Sequence, residues 1–310
     1  MSLRYKLFLI LNKLQNFLRV GKTPLIPIDI DGVKIWGKAE FMNPSGSVKD
    51  RPVSNILSQA ENCGFLKKGG TVIEATSGNA GISFAMFCAM KKYKCVIVMP
   101  SNMSDERKKI LNFYGADLIE VEPGDFEGAI KLRDQLAEKN NWFNGNQFKS
   151  SWNIQSHIET TGSELVQQCK EKKIVPLALV AGTGTGGTLM GAGETLRKIF
   201  PILKLIAVEP SESPVMSGGT PGIHGIQGIG DGSKFLVDLK KISKILQIST
   251  PEAKNMAARL AKEYGIFVGI SAGANILASI RYSQELCITG NEQAVLTILC
   301  DRGDRYMSCF

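Results

Sequence analysis

From about residue 70 onward, short apolar runs alternate with helix-like runs, and Gly, Ser and Thr crowd the joints between them. Residues 71–74 form a β-rich run that ends in Thr76-Ser77-Gly78-Asn79-Ala80-Gly81, and a helical stretch over 82–91 follows. Residues 95–99 read as a buried strand closed by Pro100, 104–114 as a helix with a serine cap, 117–121 as a strand and 125–140 as a helix. The alternation then restarts: helix 160–172, strand 177–181, the run Gly182-Thr183-Gly184-Thr185-Gly186-Gly187-Thr188, a helix to residue 200, strand 203–208, helix 251–264, a helix after Ser271-Ala272-Gly273-Ala274, and a last strand at 294–299. Strand–turn–helix repetition of this kind predicts parallel sheets with helices on both faces. The break near 141–155 predicts two α/β units, and the Gly/Pro/Ser-rich stretch 211–233 is too long for an ordinary connection, which marks it as a functional loop.

Composition narrows the function classes. The chain of 310 residues carries a formal charge of +8, from 37 Lys and Arg against 29 Asp and Glu. The basic residues are spread among acidic ones and do not interleave with aromatics, so nucleic acid is not an expected partner; a basic surface instead suits small anions. Two histidines, His157 and His224, cannot make a three-histidine metal site, and the seven cysteines show no zinc spacing, so no metal is expected. The odd cysteine count and the lack of a cleavable leader suggest reduced thiols in the cytoplasm. Residues 7–18 are apolar but interrupted by Asn12, Lys13, Gln15 and Asn16, well short of the about 20 residues of a membrane span. Leu7, Ile10, Leu11, Leu14 and Leu18 have helical spacing, which predicts an amphipathic helix packed on the body or on a second subunit rather than on a membrane.

Four features carry chemistry. The run 182–188 follows a strand and opens a helix, where successive backbone N–H groups can hold a phosphate and glycine lets it approach. The same run satisfies G-x-G-x-x-G at Gly182, Gly184 and Gly187, and Glu209 ends the next strand at a spacing that suits a dinucleotide ribose, so a dehydrogenase is the competing reading. In Asn43-Pro44-Ser45-Gly46-Ser47-Val48-Lys49-Asp50-Arg51 one lysine precedes a helix, and the positive end of a helix dipole favours the unprotonated amine that a nucleophile or base needs. Thr76-Ser77-Gly78-Asn79 offers hydroxyls, an amide and free N–H groups as a carboxylate cradle. Ser271 stands at another strand-to-helix turn.

A phosphate loop, an activated lysine and a carboxylate cradle are what a pyridoxal phosphate enzyme acting on an amino acid requires. In wording and order, the stretches 44–51, 74–82, 145–148, 160–164, 184–188, 227–230, 269–273 and 303–306 resemble the cysteine synthase (O-acetylserine sulfhydrylase) and cystathionine β-synthase family of fold-type II pyridoxal phosphate enzymes. The resemblance implies two three-layer αβα domains with twisted, mostly parallel sheets, like the tryptophan synthase β chain. The smaller, mobile domain would be 44–150 and the larger 1–43 plus 151–310. It implies pyridoxal 5′-phosphate bound to Lys49 as a Schiff base, its phosphate held by Gly184, Thr185, Gly186, Gly187 and Thr188, its ring hydroxyl by Asn79 and its pyridine nitrogen by Ser271. A serine there does not keep the nitrogen protonated, so the cofactor is a moderate electron sink, which suits β-elimination. Thr76, Ser77, Gly78, Asn79, Ala80 and Gln147 would hold the substrate carboxylate, with Gly228 over its β-carbon. The implied reaction is β-replacement through an α-aminoacrylate, the usual pair being O-acetyl-L-serine and sulfide, in a homodimer.

Three positions depart from the family pattern. Ala80 stands where a threonine is expected, and Arg302 replaces a small polar residue near the expected pyridine nitrogen. Asp231, after Gly228-Ile229-Gly230, replaces a small neutral residue at the mouth of the site. A carboxylate there repels hydrosulfide but suits a base on water. It points to L-cysteine plus water giving L-serine and H2S, with Lys49 and Asp231 catalytic; O-acetylserine sulfhydrylase and cystathionine β-synthase chemistry remain alternatives, as does an exposed, idle Asp231. A non-catalytic protein that binds a partner's C-terminal peptide in the cleft is the reading from another class, and the intact Lys49 argues against it.

Overall fold

The computed structural model describes residues 19–76, 78–288 and 292–310. The amphipathic helix expected over 7–18 and Ser77 of the carboxylate cradle lie outside these residues.

Two sheets organise the chain. The larger has six strands in the order β1-β2-β10-β7-β8-β9: β1 (Leu25–Ile30), β2 (Val33–Lys38), β7 (Val175–Gly182), β8 (Lys204–Pro210), β9 (Lys244–Ile248) and β10 (Gln293–Ile298). The smaller has four in the order β5-β4-β3-β6: β3 (Thr71–Ala75), β4 (Lys94–Pro100), β5 (Asp117–Val121) and β6 (Phe143–Asn144). All pairings are parallel except the β1–β2 hairpin, as strand–helix alternation requires.

Each sheet is buried on both faces, because successive side chains point to opposite sides. In β4, Cys95, Ile97 and Met99 join the core under helices α1 (Asp50–Asn62) and α2 (Asn79–Lys91), while Val96 and Val98 face α4 (Phe126–Asn140); α3 (Asp105–Phe113) adds Leu111 to the first of these cores. In β7, Ala178 and Val180 pack toward α8 (Thr250–Tyr264) and α9 (Ile270–Glu285), and Leu179 and Ala181 toward α6 (Ser163–Glu171) and α7 (Gly187–Ile199). The result is two three-layer αβα bodies, the expected fold class.

Three details differ from the sequence reading. The β1–β2 hairpin precedes the first predicted strand; Asp31 and Gly32 turn it with φ of 53° and 77°, the two positive values a type I′ turn needs. The helix predicted from 160 begins earlier, as α5 (Ser151–Ser156), and passes through a π-helical segment, His157–Gly162, before α6. β9 extends the edge of the larger sheet beyond the strands the pattern suggested. No described helix is long and apolar enough to cross a membrane.

Candidate active site

The chain leaves the larger sheet after β2, builds the smaller one and returns at β7. Where the two sheets meet, the loops after β3, β7, β8 and β10 converge, all at the carboxyl ends of parallel strands, the usual ligand position in such sheets. The cleft between them is bordered by Lys49, Thr76, Gly78, Asn79, Ala80, Gln147, Gly184, Thr185, Gly186, Thr188, Gly228, Asp231 and Ser271. Residues from distant parts of the sequence thus meet in one place.

Lys49 caps α1 and is half-buried. Its segment is pinned on both sides. Val48 N–H donates to the Cys300 carbonyl at 2.8 Å, and Arg302 N–H to the Gly46 carbonyl at 3.2 Å. Behind it the buried Asp50 carboxylate accepts from Ser45 N–H at 2.6 Å and from Ser83 Oγ at 2.5 Å. Burial pushes Asp50 up from the ordinary carboxylate value, and these hydrogen bonds pull it back. The network fixes where the lysine backbone enters the cleft.

In the run 182–188 glycine is needed for space. Gly186 has φ of 86°, and a Cβ there would lie 2.5 Å from Val237; a Cβ at Gly184 would overlap the Gly228 carbonyl oxygen. α7 starts at Gly187 with no side-chain cap, which leaves N-terminal N–H groups for a ligand. Gly187 itself does not border the cleft: it packs on Asn153, and its N–H donates to Thr185 Oγ1 at 3.3 Å. Asn153 Nδ2 also donates to Thr185 Oγ1, at 3.1 Å. Thr188 Oγ1 is 3.2 Å from His157 Nε2, whose other ring nitrogen meets Thr161 Oγ1 at 2.8 Å. Burial, aided by the charges of Arg51 and Lys49, holds His157 well below its ordinary value, so the imidazole is neutral. His157 and Asn153 escaped the sequence reading; their one signal is position, on the π-helical segment and the turn before it, a geometry common at functional sites.

The cradle after β3 is built differently. Thr76 Oγ1 accepts from Gly78 N–H at 3.1 Å, and α2 begins at Asn79 without a side-chain cap. Asn79 Nδ2 donates to Asp301 at 2.5 Å, and its Oδ1 accepts from Arg305 at 2.5 Å. One amide hydrogen of Asn79 stays free for a ligand. Ala80 is buried and adds no polar group. Gln147 is positioned from below: its N–H donates to Glu74 at 3.1 Å, and the buried Glu74 pairs with Arg133 at 3.0 Å. Burial pushes Glu74 up, and Arg133 pulls it down.

Asp231 is half-buried on the cleft wall and is no freely exposed loop residue. Burial pushes its carboxyl up, while the charges of Lys49 and His224 pull it down. Ser271 is buried in the first turn of α9. Two expectations are corrected. Arg302 does not line the cleft; its side chain is exposed, its stem lies over Gly46, and Nε reaches the Phe41 carbonyl at 3.3 Å. The residue that borders the cleft there is Cys300, whose thiol burial pushes up to about 12. Glu209, the ribose ligand of the dehydrogenase reading, is spent on the 213–217 turn, where it accepts from Met216 N–H at 2.7 Å and Ser217 N–H at 3.1 Å.

These residues fit pyridoxal phosphate. An amine, a glycine cradle at a helix start and a hydroxyl at a second helix start face one cleft, and the cradle tolerates no Cβ. The family model for pyridoxal-phosphate dependent enzymes matches residues 17–301. A cysteine synthase of Staphylococcus aureus is 42% identical over 298 residues, covering 93% of this chain and 94% of that protein. A hydrogen sulfide-producing enzyme of Fusobacterium nucleatum superposes with a TM-score of 0.89 at 35% identity, over 96% of this chain and 90% of that one. An aspartate-to-asparagine variant of that enzyme has been solved with an α-aminoacrylate intermediate. The cysteine synthase (O-acetylserine sulfhydrylase) of Entamoeba histolytica gives 0.84 at 36% identity, over 93% and 87%. Fold and site define an enzyme that works with pyridoxal 5′-phosphate. Within that class, the chain belongs to the cysteine synthase family.

Proposed function

We propose that the enzyme converts L-cysteine and water into L-serine and hydrogen sulfide, with Asp231 as the base on water. Sulfur amino acid metabolism is the setting of the family, and β-replacement is its chemistry. The observation that carries the finer reading is the Asp231 carboxylate on the cleft wall, close enough to Lys49 for their charges to interact. The aspartate exchanged in the Fusobacterium hydrogen sulfide-producing enzyme adds support by analogy.

The cofactor, when bound, supplies a sink for the negative charge that forms at the substrate Cα. Lys49 would hold it until the substrate amine takes its place and frees Nζ, and Gly184–Thr188 with Ser271 and Asn79 would keep it in place. Thr76, Asn79 and Gln147 take the substrate carboxylate. Lys49 Nζ removes the α-proton; the Cβ–S bond breaks and sulfur departs as hydrosulfide, which leaves the site as H2S on gaining a proton. Water then adds to the β-carbon as Asp231 takes its proton, and Lys49 returns a proton to Cα. Carboxylate binding draws the 44–150 unit over the cleft and excludes water from all but the reacting position. Two copies associate, as the resemblance implies, and seven free cysteines suit a reducing cytoplasm.

Incubation with L-cysteine alone tests the reading: sulfide and L-serine should form in equal amounts. Asp231→Asn should lower serine formation by about a hundredfold; a variant that releases serine at the wild-type rate sinks the role of Asp231. The carboxylate must be ionised to act, and burial raises its pKa. Serine formation should therefore fall, as pH drops, through a range above the ordinary carboxylate value of 3.8, and this acid limb should vanish in the residual activity of Asp231→Asn. The 42% identity to a cysteine synthase favours a second reading, O-acetyl-L-serine plus sulfide. It predicts cysteine formation from that pair and no serine from cysteine.

A further inference from the structure

Three arginines, Arg51, Arg107 and Arg133, are among the largest fully buried side chains. Two are paired: Arg51 with Glu40 and Glu164, and Arg133 with Glu74 and Asp134. Arg107 has no ion pair among the described residues, and its buried Nε and Nη1 have no hydrogen-bond partner. A permanently charged guanidinium enclosed without a counter-charge is costly, so its place in a folded protein calls for an occupant.

The surroundings say where that occupant sits. Arg107 lies in the first turn of α3 and borders the cleft. Its Cζ stacks 4.8 Å from the Tyr306 ring centroid. A Cβ at Gly78 would lie 3.0 Å from Nε and 3.1 Å from Cζ, so the guanidinium rests against the carboxylate cradle itself. The nearby carboxylate, Asp301, accepts from Asn79 and Tyr306 through Oδ2, its buried Oδ1 has no hydrogen-bond partner, and it forms no ion pair with Arg107. Arg305 is engaged by Asn79 and the Ser45 carbonyl. The protein thus presents a desolvated positive charge at the cradle with no anion in ion-pair contact among the described residues.

We propose that Arg107 is the counter-charge for the α-carboxylate of the amino-acid substrate and makes the cleft select for amino acids with a free carboxylate. The inference rests on the reading of the cleft as an amino-acid site, whichever β-substituent the substrate carries. A buried charge kept for a ligand destabilises the empty protein, so its removal has a signature that a structural arginine lacks.

The holoenzyme, Arg107→Met, Arg107→Gln and Arg107→Lys are titrated with L-cysteine, O-acetyl-L-serine and the methyl ester of each, read by the visible spectrum of the bound cofactor. Melting temperatures are measured without ligand. Wild type should bind the free acids at least tenfold more tightly than the esters. Met and Gln should bring that ratio close to one, with an unchanged or higher melting temperature, and Lys should restore part of it. A wild-type ratio retained in both neutral variants, or a lower melting temperature with the ratio intact, overturns the role of Arg107. No spectral response of wild type to either free amino acid overturns the amino-acid reading, and this inference with it. A response to O-acetyl-L-serine but not to L-cysteine removes only the proposed cysteine reaction and leaves the Arg107 comparison to be read on the ester pair.

Discussion

Two helix starts face each other across the cleft, and they are built on opposite plans. The start of α7 is held mainly by its own chain. Gly184 and Gly186 sit where a Cβ would strike backbone or a neighbouring valine, and Leu236 N–H donates to the Thr185 carbonyl at 3.0 Å. The start of α2 is held by charged side chains from elsewhere: Asp301 and Arg305 on Asn79, Arg107 on Gly78, and the Glu74–Arg133 pair under Gln147. A site for a resident group can be shaped once by sterics. On the proposed assignment, the substrate site, which must fill and empty at every turnover, is held instead through electrostatic contacts.

This contrast can be broken from either side. The largest effect is expected at Glu74→Ala, which removes the buried counter-charge of Arg133, leaves it only the half-exposed Asp134, and should cost about 3 kcal/mol of stability, measured by urea denaturation. Gln147 loses its anchor in the same change, so substrate affinity should fall further than cofactor affinity. Gly184→Ala comes next. Strain of about 1–3 kcal/mol against the Gly228 carbonyl should lower the stability of the cofactor-free chain by a similar amount and, where the loop shifts to relieve it, weaken cofactor retention up to a hundredfold in dialysis against buffer. An equal loss of substrate affinity without loss of cofactor would show that the two helix starts are not separable. The smallest effect is expected at Lys198→Ala, which removes the exposed pair with Glu194 at the far end of α7. Stability should change by about 0.5 kcal/mol or less and cofactor retention not at all.

The same contrast explains what was legible in the sequence. The α7 loop could be read because a steric requirement writes itself locally, as glycine, in consecutive positions. The parallel sheets could be read because both faces are buried, which leaves near-continuous apolar runs such as those of β4 and β7. Asp231 was noticed as a charge in a run of small residues. Arg107 was not, because nothing in Asp105-Glu106-Arg107-Lys108 separates a buried arginine from a solvated one. Arg133 is hidden in the same way on an ordinary amphipathic helix, with its partner 59 residues away. Arg302 was misjudged for the converse reason: a charge next to a recognised motif points outward as readily as inward. The β1–β2 hairpin did carry a local signal, Asp31-Gly32 between apolar alternations, but it stands apart from the strand–helix rhythm that dominates the chain.

All seven cysteines are free, and three of them, Cys88, Cys95 and Cys169, are buried. Burial pushes Cys169 up to about 12, and the hydrogen bond with Cys88 raises Cys95 as well. Thiolate is the species that attacks disulfides and is itself oxidised, and hydrosulfide is a thiolate-like nucleophile. On the proposed reaction, sulfide released beside the backbone would be a locally generated reductant. A fold tied by cystine would be cut by its own product. This one has no such tie, and the thiols of Cys95 and Cys169 are kept protonated, so the fold would not depend on the redox state of that product.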